Sequence, residues 1–293
     1  MFPEVQRTNI DREIIASFTS EWDHMAVAVD LLREVASYVC ISASIMGERP
    51  SWSRDQAIIG GHAVRLFKLL SGLLDQVCQR RRETADILLR LIFETSVNAR
   101  FLMQEWSAEL ADSYVRTSLR HERKLRDTIE ANVSARNGDL LPIEDRMLRS
   151  IDRTAVLAGV PLDTVDLKQK APWGGKHLAQ KAKDVGWLDA YDAVFGGMSH
   201  NVHGSWQDLL THHLGVEQDG RFVPEFEWTR PRPQALLATS ILVVEVVAEV
   251  AHFLGGKIAL DQLDPLLADL HQRIGEANLL HESYLSGKTW PEI

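Results

Sequence analysis

Apolar residues return every three or four positions along almost the whole chain, while alternation at period two is nearly absent. A chain patterned this way buries its apolar side chains by packing helices against one another. Over 21–45, Trp22, Met25, Val29, Leu32 and Val35 make one such stripe, with Ala26, Ala28 and Ala36 beside it. Gly47-Glu48-Arg49-Pro50 should end that helix, and Ser51 or Ser53 should cap the next. The spacing predicts that next helix over 52–78, with Gly60-Gly61 as a weak or close-packed point. Two more follow over 82–104 and 107–134, the second closed by Asn137-Gly138. Segment 140–186 reads as short helices and loops inserted between the main helices. Helical pattern covers 187–195, breaks at Gly196-Gly197 and resumes near Ser199. A small hairpin is expected within 216–228 around Asp219-Gly220, then an apolar helix from Pro233 and a last one over 260–285. The expected fold is all-α: one compact multi-helix bundle of seven or more helices over 1–293, with the chain ends in contact.

Hydrophobic residues make up 45% and charged residues 25%, enough apolar material for a substantial core. Acidic side chains outnumber basic ones 41 to 32, and the net charge of −9 excludes a broad nucleic-acid surface. It leaves room for one small anion site. Cys40 and Cys78 are too few for a disulfide scaffold or a structural zinc site. The first residues show no signal-peptide pattern, so the expected compartment is the cytoplasm. Segment 235–254 is long enough to cross a bilayer, but Glu245, Glu249 and His252 interrupt it. A core helix is expected there, with no membrane partner.

Two segments carry polar residues in unexpected places. On the helix over 82–104, Glu94 falls about 40° and Asn98 about 80° round from Arg90, among Ile87, Leu91, Val97 and Phe101. A carboxylate on that stripe must be paired, hydrogen-bonded or protonated. Arg90, one turn earlier, is the partner the spacing offers. The pair reads either as a buried structural ion pair or as the floor of a pocket. In the second segment, His200, His203, His212 and His213 cluster within fourteen residues. Ser199 or Asn201 can cap a helix there, with His203 in its first turn and sharing a face with Gln207, beside Trp206 and Leu210. A histidine at a helix start stays neutral and can act as base, ligand or bridge. The bland alternative is a packing histidine. Arg116, Arg120 and Arg123, with Lys124 and Arg126, form either an anion-binding patch or a solvated charged face.

The motif Arg90-x-x-x-Glu94, followed about a hundred residues later by Ser199-x-x-Val202-His203-Gly204-Ser205, resembles an uncharacterised family of bacterial all-helical proteins. More distantly, His200-Asn201-Val202-His203-Gly204 is similar to the signature of the HEPN superfamily. That resemblance implies a helical, dimeric protein of toxin or defence systems, often a metal-independent ribonuclease using an Arg and a His. His203 would be the catalytic histidine; the arginine expected at 196–198 is replaced by Gly196, Gly197 and Met198. His200 or Arg90 would then stabilise the phosphate, and Glu94 would orient one of them. Asn98, Ser199, Asn201, Trp206, Arg116 and Arg120 are the expected substrate contacts, and RNA or a small anion the expected ligand.

Other readings stay open. A second reading is a catalytically silent helical module that binds a partner chain or small ligand in the same pocket. No cofactor is expected, but a divalent metal is not excluded. Glu21–His24 and Glu249–His252 have the E-x-x-H spacing of di-metal bundles. A metal enzyme would draw on Glu94, His200, His203, Glu249 and His252, with His62 as a further imidazole. No phosphate-cradling glycine loop, H-E-x-x-H zinc motif or nucleophile elbow occurs.

Overall fold

Ser20, Ser53 and Ser107 each precede an apolar-periodic run, and each caps it by accepting a backbone N–H three residues on. In the computed structural model, which describes residues 3–46, 51–195 and 197–289, these caps open the three long helices expected after them. The expected stop at 47–50 and Gly196 of the expected break lie outside the described residues. The helices are α1 (Arg12–Ala16), α2 (Glu21–Ala43), α3 (Arg54–Cys78), α4 (Arg82–Gln104), α5 (Ala108–Ala135), α6 (Pro142–Ala158) and α7 (Leu178–Asp184). Then come α8 (Leu188–Ala190), α9 (Ser199–His203), α10 (Trp206–His212), α11 (Pro233–Gly255), α12 (Lys257–Gln262) and α13 (Asp264–Ser286). A two-stranded hairpin, β1 (Leu214–Val216) against β2 (Phe222–Pro224), sits where a turn at Asp219-Gly220 was expected. The fold is all-α.

Helices α2, α3, α4 and α11 pack around one apolar core, with α13 against α2 and α11. Phe93, Met25, Leu31, Leu66 and Leu70 are sealed within it, each contributing roughly 1.5–3 kcal/mol by leaving water. The Gly60-Gly61 point is a close approach: a Cβ on Gly60 would stand 2.7 Å from the Trp52 indole. Helices α3 and α11 are long and apolar enough to cross a membrane, yet 61% of the most apolar window of α11 is buried inside the protein. The inserted segment has a smaller core of its own, where Val115, Leu119 and Ile129 of α5 meet Ile151, Ala155, Val160, Leu162 and Val165.

The chain ends do meet. Arg273 of α13 and Glu34 of α2 form a buried bidentate pair at 2.7 and 2.6 Å. The same Glu34 accepts the Thr8 N–H at 2.8 Å, and Arg273 donates to the Thr8 carbonyl at 2.9 Å.

The His24 and His281 rings lie 4.8 Å apart and tilted by 54°, both buried, with neither His281 ring nitrogen hydrogen-bonded. Burial holds both below the ordinary imidazole range, and repulsion from His281 adds to this at His24. Glu21, whose Oε1 is 3.7 Å from His281, and Asp23 are the nearby acids. Because the folded-state values lie below the unfolded value of about 6.5, the unfolded chain takes up protons first as pH falls. Stability is therefore expected to drop below about pH 6.5, by up to about 1.4 kcal/mol per unit for each histidine. Urea unfolding at several pH values should show it. His281→Phe should make that slope shallower, while His62 and His212, which burial also holds low, keep their share of it; an unchanged slope would discard the account.

Candidate functional site

A hollow of about 760 Å³ opens where the first turn of α4 faces α9, α10 and the start of α11. Arg80, with φ +61, turns the chain sharply into α4, and its guanidinium lies 4.7 Å over the Trp22 ring. That cation–π contact offsets part of the roughly 1–2 kcal/mol a left-handed non-glycine residue costs. Arg82 and Asp86 then point from successive turns into the cleft. Arg82 also fixes the loop before α11, donating its backbone N–H to the Thr229 carbonyl at 3.0 Å. Arg232 ends that loop and Pro233 starts α11, where a missing N–H costs nothing.

The opposite wall comes from α9 and α10. Gly204, at φ +58, breaks the helix between them. Ser205 precedes α10 but does not cap it; its hydroxyl lies 2.8 Å from His200 Nδ1 instead. His200, Asn201, Gln207, Thr211 and His212 all line the cleft. Asn201 donates to Asp86 Oδ2 at 3.4 Å, and Arg82 Nε lies 3.5 Å from the same oxygen. Burial pushes the Asp86 carboxyl up to about 6, against the pull of Arg82, Arg232 and Asn201. Burial and Arg82 hold the His212 imidazole below its ordinary range. Two smaller hollows adjoin at Arg232: one of about 290 Å³ with Arg82 and Arg230, another of about 330 Å³ with Lys288. Arg82, Arg230, Arg232 and Lys288 thus line neighbouring depressions, with Glu21 as the acid shared by the two smaller ones.

Beside the cleft, Glu83, Asp208 and His213 bring one ligand atom each to within 4.8 Å of one another. This is the metal-compatible group among the described residues.

Several expectations are corrected. Glu94 is exposed, not buried in an apolar stripe. The centre of the buried face of α4, at Ala85, Leu89, Ile92, Ser96 and Ala99, lies roughly opposite Glu94 on the wheel. Arg90 instead lies 5.3 Å over the Tyr191 ring, and neither it, Glu94 nor half-buried Asn98 lines the cleft. His203 is exposed at the last residue of α9, not in a first turn, and Ser199 and Asn201 do not cap that helix. The break at Gly204 puts His203 and Gln207 on different helices. Trp206 is also outside the cleft, edge-on to Phe222 of the hairpin at 5.4 Å. Arg116 donates to Thr164 at 3.0 Å and pairs with Asp112; Arg120 donates to the Ala171 carbonyl at 3.1 Å. These arginines bind the inserted segment to α5 and form no open anion patch. The proposed di-metal set is dispersed: Glu249 pairs with Arg100 at 2.9 Å, His252 with Asp264 at 2.7 Å, and His62 with the Ile58 carbonyl at 2.7 Å. Of the expected residues, His200 and Asn201 reach the cleft. Arg82, Asp86 and Arg232 were missed, although Arg82-x-x-x-Asp86 has the same spacing as Arg90-x-x-x-Glu94.

Residues 56–222 match the family of unknown function DUF5677, more than half of the chain. The chain belongs to DUF5677. The matched region begins in α3 and ends in β2, so it contains both Asp86 and the α9–α10 wall of the cleft. Arg232 and the start of α11 lie beyond it. No curated protein and no solved structure matches this DUF5677 chain.

Proposed function

We propose that the chain binds an RNA strand in this cleft and cleaves it by acid–base chemistry. One observation carries the reading. A carboxyl held near neutrality, Asp86, opens into a cleft that also holds Arg82, Arg232 and His200. A base works best when its pKa lies near the working pH, and guanidinium groups suit phosphate oxygens. Asp86 takes the proton of a ribose 2′-hydroxyl as that oxygen attacks the adjacent phosphorus. The bond from phosphorus to the 5′-oxygen breaks, and His200, its Nδ1 fixed by Ser205, protonates the leaving oxygen. The products are a 2′,3′-cyclic phosphate and a 5′-hydroxyl. Arg82 and Arg232 balance the phosphate charge, and Arg230 and Lys288 extend the cationic run along the strand. The motif resemblance to the HEPN superfamily at 200–204 extends the proposal to a homodimer with a role in defence; the catalytic histidine proposed is His200, which lines the cleft, in place of His203.

The exposed aromatics of the hairpin region favour a second reading, a module that docks a partner chain. Phe226 is 87% exposed, and Trp206, Phe222 and Trp228 stand largely in water.

A short labelled RNA and its DNA counterpart test the proposal. The RNA should be cut to cyclic-phosphate ends, and the DNA, lacking the 2′-hydroxyl, should stay intact. Arg232→Ala should weaken RNA binding about tenfold and make its salt dependence shallower by about one contact, since a phosphate contact and its released counterion are lost. RNA that is neither bound nor cut would reject the proposal and leave the docking module.

A further inference from the structure

Glu83, Asp208 and His213 come from three places: the first turn of α4, the first turn of α10, and the residue just before β1. His213 Nε2 stands 3.1 Å from Glu83 Oε1 and 3.6 Å from Asp208 Oδ2. Asp208 is only 3% exposed, and its Oδ1 is sealed from solvent with no hydrogen-bond partner. Its other oxygen stands 3.6 Å from His213 Nε2, too long for a hydrogen bond. A buried carboxylate needs donors or a cation, and leaving one bare costs more than leaving a neutral group bare. Arg82, the neighbouring guanidinium, is directed at Asp86. The three residues thus present two carboxylates and one imidazole to a common point, with an unpartnered oxygen at its buried side.

We propose that Glu83, Asp208 and His213 bind one divalent metal ion of the borderline class, Zn²⁺ foremost. Imidazole together with carboxylate suits that class, whereas Mg²⁺ and Ca²⁺ favour oxygen ligands throughout. Bonds of about 2.1 Å at a tetrahedral angle set ligand atoms roughly 3.4 Å apart, close to the two separations seen. Three protein ligands leave a fourth position, and the His213 side chain, 42% exposed, gives the ion a route from solvent. The ion would fasten α10 and the hairpin to α4. Arg82 and His212, the sequence neighbours of Glu83 and His213, line the cleft, so the same ion would hold two of its walls in register. This inference goes beyond the ribonuclease reading and stands without it.

The test uses the full chain, stripped by a chelator and titrated with Zn²⁺ near neutral pH, with bound metal counted by mass spectrometry. About one ion per chain is expected, with a higher melting temperature on binding. Asp208→Asn and His213→Gln should each weaken Zn²⁺ at least tenfold and abolish the melting shift. His252→Gln, which alters an imidazole elsewhere, should change neither. If Asp208→Asn does not fold by circular dichroism, His213→Gln, at a half-exposed side chain, decides. Fewer than about 0.1 ion per chain, or equal binding by wild type and the folded variants, would overturn the site. RNA is absent from the experiment, so its failure and that of the ribonuclease reading are separate results.

Discussion

Arg273→Ala is expected to destabilise the protein by about 3–5 kcal/mol, because it strips the counter-charge from a carboxylate that water cannot reach. The Glu34 side chain is 1% exposed and that of Arg273 7%. Arg273 also holds Asp269 through Nε at 2.8 Å, and Asp269 in turn holds Arg7. One guanidinium therefore ties α2, α13 and the segment before α1 together. Glu34→Ala should cost a similar amount, since it leaves the guanidinium buried without its bidentate partner. The double variant should lose less than the sum of the two, which is the signature of a coupled pair. Replacing both with Met and Leu should cost little, since a packed apolar pair often equals a buried ion pair. Urea unfolding with a shared slope measures all four. A loss below about 1 kcal/mol in Arg273→Ala would show that water reaches Glu34.

The large helices were legible because caps and periodicity agree along them. Arg82–Gln104 has the expected bounds, and α3 and α5 begin within two residues of theirs. The short opening helix α1 carried too few turns to show a period. The face of α4 was misjudged for a physical reason. Its core side includes Ala85, Ser96 and Ala99, small residues that let helices approach closely yet add little hydrophobic signal. Larger Ile87 and Leu91 are only half-buried, and they drew the apparent stripe toward Glu94. The histidine cluster did mark one wall of the cleft. Its other wall lies more than a hundred residues earlier, and Glu83 meets Asp208 and His213 only because α10 folds against α4. No local spacing encodes such a meeting. Arg116 and Arg120 show the converse: a basic helix face looks open in sequence until the inserted segment places its carbonyls and hydroxyls against it.

Asp86→Asn should lower RNA cleavage by about 10²–10⁴-fold, the usual contribution of a positioned acid or base. The pH profile separates that role from a merely structural one. A base must be deprotonated, so the acid-side limb of the wild-type rate should rise with pH through about 6. The variant's residual rate should lack that limb, while His200→Ala should keep it. The same carboxyl makes a second, independent mark on stability. Its folded value lies above the unfolded one, so the folded state holds the proton more tightly and stability from this group falls as pH rises from about 4 to 6. The asparagine variant escapes that loss. Its stability relative to wild type should therefore improve by on the order of 2 kcal/mol between pH 4 and pH 7, with the contribution of His24 and His281 cancelling in the difference. A stability difference that does not move with pH would mean that Asp86 is ionised throughout and is no base tuned to neutrality. A stability difference that moves, with a cleavage rate the asparagine leaves intact, would keep the burial and remove the catalytic role.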